Sequence, residues 1–221
     1  MAIDPVRHLV VLAHPRRGSF NHQIAAAYCE SVQECGQTAV LHDLYARRFN
    51  PILESIGEAP QLSTLEDLEE IVRCQVLTFI YPIWFGLPPA MIKGYVDRVL
   101  GHGFKPDRDN PRATSPFLSG CRMLGITTSA SSEPWLAEQG QLIALREGFD
   151  RYLGTIFKMA STSHLHIDAV VEGLDPNYAA QQLERVKGAA RTVCADALAA
   201  AHRTEIDGMV QRTATFDQIT Q

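Results

Sequence analysis

A polar turn at residues 14–21 has the residue types of an anion-binding site. It reads His-Pro-Arg-Arg-Gly-Ser-Phe-Asn and leads from an apolar run into a segment of helical periodicity, for which Ser19 is a suitable N-cap. Unpaired N–H groups at a helix start attract phosphate, and the Ser19 hydroxyl and the charge of Arg16 or Arg17 would add to that attraction. The turn matches neither G-x-G-x-x-G nor Walker A, which disfavours a Rossmann dinucleotide or a P-loop ATP site. The alternative is an ordinary polar turn.

A second segment, residues 81–89, combines aromatic side chains with prolines directly after an apolar run. Its sequence is Tyr-Pro-Ile-Trp-Phe-Gly-Leu-Pro-Pro. Trp84 and Phe85 in this rigid turn would form an apolar wall, and the backbone groups of the turn could hydrogen-bond a flat heterocycle. The alternative interpretation places both aromatic side chains in the core.

A third segment, residues 127–133, is small and rich in hydroxyl groups, as expected where a chain passes close to a ligand ring. It reads Thr-Thr-Ser-Ala-Ser-Ser-Glu. Taken alone, it would be interpreted as a flexible turn. The argument for a site comes from position, because all three segments come directly after predicted strands.

Five β-prone apolar runs alternate with amphipathic segments along the chain. The predicted strands cover residues 8–14, 38–45, 75–81, 121–129 and 161–171, and the predicted helices cover 20–35, 63–74, 90–100, 136–157 and 176–202. Parallel strands need crossovers, and right-handed crossovers place helices over the sheet, so the pattern predicts an α/β fold with an open, mostly parallel sheet. Ligands of such sheets bind beyond the carboxyl ends of the strands, where the three segments lie.

Composition limits the class of protein. The 20 basic and 25 acidic residues give a formal net charge of −5, so we expect no nucleic-acid partner. The five cysteines are far apart and have no histidine at zinc spacing, so we expect no metal site, no disulfide framework and a reducing, cytoplasmic location. The apolar run at residues 9–13 is too short for a signal sequence or a membrane span, so we expect no membrane insertion.

The length suits one enlarged domain. At roughly 150 residues per domain, a chain of 221 residues exceeds one domain and falls short of two. No composition break or internal repeat marks a boundary, so we predict a single domain over residues 1–221, with a core at about 7–202 and a tail at 203–221. The residues in excess of one domain lie in this tail and in residues 46–61 and 101–119. These two segments could cover a site or contact a partner subunit.

Three motifs carry a resemblance to a known family. They are H-P-x-x-x-S-F-N at residues 14–21, Y-P-x-W-F-x-x-x-P-A-x-x-K-G-x-x-D-R-V at 81–99 and I-T-T-S at 126–129. With them, roughly residues 7–170 resemble the flavodoxin-like NAD(P)H dehydrogenase (quinone) family, which includes quinone reductases, modulators of drug activity and ancillary subunits of potassium-efflux systems. The second motif is quite specific because it fixes many positions together.

The resemblance implies a flavodoxin-like three-layer sandwich that binds FMN or FAD, with a five-stranded parallel sheet of order 2-1-3-4-5 and helices on both faces. The residues it assigns to the flavin phosphate are His14, Ser19, Phe20 and Asn21, to which we add Arg16 because of its charge. Those that would line the isoalloxazine ring are Pro82, Ile83, Trp84 and Phe85. Those on the pyrimidine side of the ring would be Thr127, Thr128, Ser129 and Ala130. No catalytic side chain is assigned.

The implied activity is that of a flavoprotein oxidoreductase. It would transfer a two-electron hydride from NAD(P)H to a quinone or a related electrophile in a ping-pong scheme, and it would do so as a homodimer whose subunits jointly wall each site. A stacking surface suits this chemistry more than an acid–base side chain does. The alternative is a regulatory flavoprotein that docks on a transporter or another protein. A flavodoxin-type electron carrier is disfavoured because the chain is only weakly acidic.

The chain departs from the family pattern in two features, at four positions. Mammalian-type quinone reductases have a tyrosine and a histidine after a glycine-rich third loop, where this chain has Trp135 and Gln141, so we expect that charge-transfer relay to be absent. The glycine pair of that loop is replaced by Ser129 and Ala130, which narrows the space beside the ring.

The positions of several charged residues also predict their roles. We expect His164 and His166 to be structural and to lie on opposite faces of the last strand. Asp97 and Arg98 are expected to form an ion pair or a solvated helix face. The basic segment that includes Arg108 is expected to attract the phosphates of the nicotinamide cofactor.

Overall fold

A five-stranded parallel sheet forms the centre of the molecule. The computed structural model describes residues 5–54, 62–104 and 114–219, and it describes residues 62–63 and 204–219 by their backbone alone. The strands are β1 (Arg7–Leu12), β2 (Thr38–Asp43), β3 (Val76–Pro82), β4 (Arg122–Thr128) and β5 (Ser161–Ile167). Their order is β2-β1-β3-β4-β5 and every pairing is parallel, so the predicted sheet is confirmed.

Helices cover both faces of this sheet. They are α1 (Phe20–Glu34), α2 (Leu62–Arg73), α3 (Ala90–Tyr95, a π segment Val96–Leu100, and Gly101–Gly103), α4 (Glu133–Glu138), α5 (Gln141–Leu145, a π segment Arg146–Arg151, and Tyr152–Ile156) and α6 (Pro176–Ile219), with a 3₁₀ turn at Pro116–Leu118. The backbone of α6 continues through residues 203–219, the segment predicted to be a tail. The division into a single domain remains a prediction.

Side chains of the strands alternate between two cores, one on each face. On β1, Leu9 and Val11 pack with α2, α3 and α5, whereas Val10 and Leu12 pack with α1 and α6. All four are almost completely buried, because helices cover both faces of a parallel sheet and each strand then reads as a continuous apolar run. This packing fixes the strand ends from which the loops depart.

Several predicted boundaries differ from the observed ones, three of them in ways that bear on the site. The last strand ends at Ile167 and does not extend to residue 171. The predicted helix at 136–157 is divided at Gly140, whose φ of 67° ends α4 in the left-handed conformation that glycine favours. The predicted loop at 101–119 begins with the last turn of α3 and includes the 3₁₀ turn, whereas its residues 105–113, including Arg108, lie outside the described residues.

Arg98 lies in the π segment of α3 and is only 8% exposed. Its guanidinium donates to the Asn50 carbonyl and lies over the Phe49 ring, 5.3 Å from the centroid. Asp97 pairs with Lys93 at 2.5 Å. The expectation of an ion pair or a solvated face therefore holds for Asp97, whereas Arg98 is buried and does not lie on a solvated face.

Candidate functional site

A cavity of about 730 Å³ opens at the carboxyl ends of β1, β3 and β4. Open α/β sheets bind ligands at this edge, beside the point between β1 and β3 at which the strand order reverses. The walls come from the loops after these strands and from the start of α6. The predicted site residues that line it are His14, Arg16, Ser19, Phe20, Asn21, Pro82, Ile83, Trp84, Thr128, Ser129 and Ala130.

The first wall is the start of α1. Ser19 occupies the N-cap position with extended backbone, but its side chain makes no capping hydrogen bond. Its Oγ lies instead 2.8 Å from Nδ1 of His22, and Nε2 of His22 lies 3.1 Å from a carboxylate oxygen of Asp43. The Ser19 hydroxyl therefore takes none of the N–H groups of the first helical turn. That of His22 donates to the Ser19 carbonyl, and those of Phe20 and Asn21 have no intrahelical acceptor, as the first N–H groups of every helix do.

Asn21 supplies a second observation at this end of the cavity, a buried side-chain donor without a partner among the described residues. It is 2% exposed, and its side-chain oxygen accepts a hydrogen bond from Oγ1 of Thr128 at 3.0 Å. Among the described residues its Nδ2 has no hydrogen-bond partner. An unpaired buried donor costs about 1–3 kcal/mol, and Asn21 lines the cavity, so this amide fits an acceptor group of a bound molecule. A phosphate at the N-terminus of α1 would provide such a group.

His14 lies between the helix start and the aromatic wall. Its Nδ1 is 3.1 Å from the backbone nitrogen of Arg16, and its ring centroid is 6.3 Å from that of Trp84. Burial lowers the pKa of His14, which favours a neutral ring. The contact with Arg16 uses Nδ1 and leaves Nε2 for another partner in the cavity.

The second wall is a two-residue hairpin. Trp84 and Leu87 exchange two backbone hydrogen bonds of 3.1 Å, and between them Phe85 and Gly86 have φ values of 50° and 80°, as in a type I′ turn. Trp84 is 41% exposed and lines the cavity, whereas Phe85 is fully exposed at the tip and does not. The alternative that placed these two side chains in the core is wrong. The predicted aromatic segment reaches the cavity through Pro82, Ile83 and Trp84 only.

Gln141 fixes this hairpin from the side of α5. Its Nε2 donates to the carbonyl of Gly86 at 2.7 Å, and a Cβ added to Gly86 would lie 2.5 Å from the same atom. Trp135, in α4, is 52% exposed, and neither residue lines the cavity. The family pattern singles out Gln141 only as a replaced residue, whereas the structure gives it the role of positioning the aromatic wall.

The third wall comes directly after β4. The backbone nitrogen of Ser129 donates to the carbonyl of Ile167 at 3.1 Å, and its hydroxyl donates to the carbonyl of Ser131 at 2.7 Å. Thr127 does not line the cavity, because its completely buried side chain lies on the face of the sheet toward α5. Thr128 lies on the other face, toward α1, as alternation along a strand requires.

His164 and His166 share one face of β5. Nε2 of His164 and Nδ1 of His166 lie 2.8 Å and 2.9 Å from the same hydroxyl, Oγ1 of Thr127. The expectation that the two histidines lie on opposite faces is wrong, since residues two positions apart in a strand point to the same side.

Sequence reasoning missed a fourth wall. It is formed by the loop after β5 and the first turns of α6, and its lining residues are Val170, Val171, Glu172, Gly173, Leu174, Pro176, Ala179, Ala180 and Leu183. The signal was available, because a loop after the fifth strand must reach the same edge of the sheet as the other three. Extending the predicted strand to residue 171 concealed it.

Comparison with known proteins identifies the family. The flavodoxin-like fold family matches residues 6–194, so the chain belongs to this family. The fold class predicted from the motifs is thereby confirmed.

Two curated relatives agree with the quinone-reductase resemblance. The chain is 38% identical over 112 residues to an uncharacterized NAD(P)H oxidoreductase of Haemophilus influenzae, covering 48% of this chain and 55% of the relative. It is 32% identical over 149 residues to NAD(P)H dehydrogenase (quinone) 1 of Rattus norvegicus, covering 57% and 54%. The matched stretch thus spans about half the length of these relatives.

Solved structures share the fold. An NAD(P)H:quinone oxidoreductase from Methanothermobacter marburgensis superposes with a TM-score of 0.71 at 24% identity, over 86% of this chain and 96% of the other. An FMN-dependent NADH-azoreductase from Bacillus anthracis, solved in complex with FMN, has a TM-score of 0.64 at 17% identity, over 86% and 99%.

Two features are absent from the described parts of the chain. No helix there is long and apolar enough to cross a membrane. No group of three or more histidine, cysteine, aspartate or glutamate side chains there is arranged to hold a metal ion.

Proposed function

We propose that this chain is a flavin-dependent NAD(P)H:quinone oxidoreductase that works by ping-pong, two-electron hydride transfer. The observation that carries the proposal is the cavity in which three features meet at one edge of the sheet: the start of α1, the indole of Trp84 and the Nδ2 donor of Asn21, which has no partner among the described residues. Phosphate and a flat aromatic ring are the two parts of a flavin that these walls suit. The names of the curated relatives support the choice of donor and acceptor.

The flavin phosphate would lie at the start of α1. The residues we assign to it are His14, Arg16, Ser19, Phe20 and Asn21. The helix N-terminus contributes N–H donors and a positive dipole end, and Arg16 adds a full charge at the rim. Asn21 would donate from Nδ2, the atom that has no partner within the described residues.

The flavin ring would lie between the second and third walls. We assign Pro82, Ile83 and Trp84 to one side and Thr128, Ser129 and Ala130 to the other. Phe85 and Thr127 belong to the same loops without lining the cavity, so we do not assign them direct contacts. Backbone N–H groups of the third wall other than that of Ser129, which donates to Ile167, would stabilise negative charge on the bound ring, in the manner of an oxyanion hole.

When bound, the flavin supplies the hydride-accepting and hydride-donating chemistry, which no side chain can perform. The chain's own part is to hold the cofactor, to leave one ring face accessible and to exclude water. The hairpin that carries Trp84 is held by its own hydrogen bonds and by Gln141, so contacts within the chain fix the position of the ring-binding wall.

Cofactor identity, assembly and location each have a separate support. The cofactor would be FMN or FAD, and the azoreductase with the same fold was solved with FMN. A homodimer would cover the exposed side chains of Phe85, Leu87 and Ile143, which are grouped around the hairpin and the adjoining α5.

A cytoplasmic location agrees with the five cysteines, none of which forms a disulfide bond.

A cofactor test addresses the proposal directly. Purified protein, or protein incubated with FMN or FAD, should be yellow, NAD(P)H should bleach the colour, and a quinone should restore it. Mass spectrometry of the released cofactor decides between FMN and FAD. Protein that takes up neither flavin would refute the proposal, and uptake without bleaching would favour a binding or regulatory flavoprotein.

A further inference from the structure

An unbroken series of hydrogen bonds, the Asp150–Ser129 network, runs behind the third wall. Oδ2 of Asp150 lies 2.5 Å from Nδ1 of His164, and Nε2 of His164 lies 2.8 Å from Oγ1 of Thr127. That hydroxyl lies 2.9 Å from Nδ1 of His166, and Nε2 of His166 lies 3.0 Å from Oγ of Ser129. Each histidine ring contacts one neighbour through Nδ1 and the other through Nε2, so the series is continuous.

The network is packed between the sheet and α5, and all five side chains are buried. Strand register places Thr127 beside His166 and Gly125 beside His164. Gly125 makes the necessary room, because a Cβ there would lie 3.0 Å from Nδ1 of His164. Buried polar groups in such number are costly unless they are bonded to one another, so the network is a specified feature of the core.

The network connects two openings. At the inner end Ser129 lines the cavity of the proposed flavin site. At the outer end Asp150 and His164 line a hollow of about 260 Å³, whose rim includes Glu147 and Arg151. These two rim side chains are 56% and 71% exposed, so the mouth of the outer hollow opens to solvent, whereas the side chains of His164 and Asp150 at its base are 4% and 5% exposed.

The proton positions of the network can reverse together. With both nitrogens of His164 protonated, Thr127 donates to Nδ1 of His166, Nε2 of His166 donates to Ser129, and the Ser129 hydroxyl proton is directed to the Ser131 carbonyl. If that proton leaves, His166 passes its Nε2 proton to Ser129, Thr127 passes its proton to Nδ1 of His166, and Thr127 receives the Nε2 proton of His164. One proton has then left the inner end and one is missing at the outer end.

We propose that the Asp150–Ser129 network supplies the proton that quinone reduction consumes. This inference rests on the proposed function, in which quinone, NAD(P)H and one proton give hydroquinone and NAD(P)⁺. The donor provides the hydride, and the Ser129 hydroxyl gives its proton to a quinone oxygen in the cavity. The vacant nitrogen of His164 is then Nε2, which faces Thr127, so both histidine rings and the Thr127 hydroxyl turn before His164 takes up a proton from the outer hollow beside Asp150. Thr127, His164 and Asp150 act through Ser129 and are positioning residues.

The charges around the network suit transfer through a neutral ring. Burial, together with His164, lowers the pKa of His166 to about 4, while Asp168 opposes this shift and Arg146 and Arg185 act in the same direction as burial. His166 is therefore neutral near pH 7. It can accept a proton at one nitrogen while it releases one from the other and holds no net charge between turnovers.

Thr127→Val tests the network with two acceptors. Wild-type and variant proteins loaded with flavin are assayed with 2-methyl-1,4-naphthoquinone, which takes up a proton on reduction, and with ferricyanide, which takes only an electron. We expect the ratio of quinone to ferricyanide kcat/KM to fall about 100-fold in Thr127→Val, the lower end of what proton transfer contributes to catalysis. Thr127→Ser should restore the ratio. Thr78→Val, which removes another buried hydroxyl from β3, should leave the ratio unchanged.

A second measurement uses flavin-free protein and reports on the network alone. Ring ¹⁵N shifts of the histidines give their tautomers as the pH is lowered. We expect His166 to exchange its Nδ1 proton for an Nε2 proton when His164 becomes doubly protonated, and we expect Thr127→Val and Asp150→Asn to abolish this coupling. If Thr127→Val does not fold, the ratio of quinone to ferricyanide kcat/KM is measured in Asp150→Asn instead.

The outcomes separate the two proposals. Wild-type protein that reduces neither acceptor contradicts the proposed function. Wild-type protein that reduces both, with the same ratio in folded Thr127→Val or Asp150→Asn, overturns the network inference and leaves the proposed function standing. A His166 tautomer that does not change with the protonation of His164 overturns the inference in the same way.

Discussion

Oγ1 of Thr128 donates a hydrogen bond to the side-chain oxygen of Asn21 at 3.0 Å, across 107 positions of sequence. This contact joins the loop after β4 to the first turn of α1. It also decides which end of the Asn21 amide is used, so that Nδ2 remains for a ligand in the cavity. The buried hydroxyl of Thr128, in the third wall, thus orients the Nδ2 donor of Asn21 in the first wall.

Loss of that hydroxyl should weaken flavin binding. In Thr128→Val the Asn21 amide loses its anchor, and we expect the Kd for FMN to rise roughly fivefold, which corresponds to about 1 kcal/mol. Titration of flavin-free protein with FMN, monitored by quenching of flavin fluorescence, measures it. Thr192→Val removes a hydroxyl bonded to a helix carbonyl on exposed α6 and should leave the Kd unchanged. An unaltered Kd in Thr128→Val would show that Asn21 needs no orientation.

Asn21→Asp tests where the flavin phosphate lies. The change replaces a buried donor with a carboxylate beside the proposed phosphate, and we expect FMN binding to weaken by about 2 kcal/mol, or roughly 30-fold. Riboflavin has the same ring and no phosphate, so it serves as the matched ligand, and its affinity should change far less. Equal losses for both flavins would contradict the placement of the phosphate at α1.

Gly86→Ala should destabilise the hairpin for two reasons. The φ of 80° is unfavourable for alanine by about 1–2 kcal/mol, and the new Cβ would meet the Gln141 side chain. Gly173→Ala is the matched control, because Gly173 has a φ of 77° and nothing within 4 Å of an added Cβ.

Thermal unfolding of the two variants separates these effects. We expect a larger decrease in Tm for Gly86→Ala than for Gly173→Ala, and we expect the difference to disappear when Gln141→Ala is added to the former. Equal decreases without that addition would mean that the Gln141 contact does not restrict the hairpin.

His166 should make the folded state sensitive to acid. Its pKa falls from 6.5 to about 4 in the folded protein, so between these values the unfolded chain binds the additional proton. Stability should therefore decrease as the pH is lowered through this window, by about 3 kcal/mol for this group. Urea unfolding at several pH values measures it. His166→Gln should show a shallower decrease than wild type, and His102→Gln, at an exposed histidine, should not. Parallel curves for wild type and His166→Gln would contradict the prediction.

The strands and the site edge were predictable because they depend on simple periodicities. A run such as Val76–Pro82 is apolar at nearly every position since both of its faces are covered, and this pattern is legible without any partner. The position of three cavity walls could be deduced from the rule that ligands bind at the carboxyl edge of parallel strands. The same rule, applied to β5, would have found the fourth wall.

Other features depend on partners that are distant in sequence. The alternation of side chains could have separated Thr127 from Thr128 and placed His164 with His166, and neglecting it produced the wrong assignment for the histidines. By contrast, the role of Gln141 arises from a tertiary contact with the Gly86 carbonyl that no local pattern records. The two π segments belong to the same class, since nothing in their composition distinguishes them from ordinary helix.

Those two π segments determine the helical phase of the residues around them. A π turn contains one residue more than an α turn, so each segment rotates the residues after it by about 100° relative to an uninterrupted helix. In α3 the segment contains Arg98, and in α5 it contains Asp150, both buried charges whose partners lie on other elements. Deleting one residue from either segment would leave the neighbouring side chains unchanged. The deletion would nevertheless remove the 100° rotation and turn Arg98 or Asp150 away from its partner.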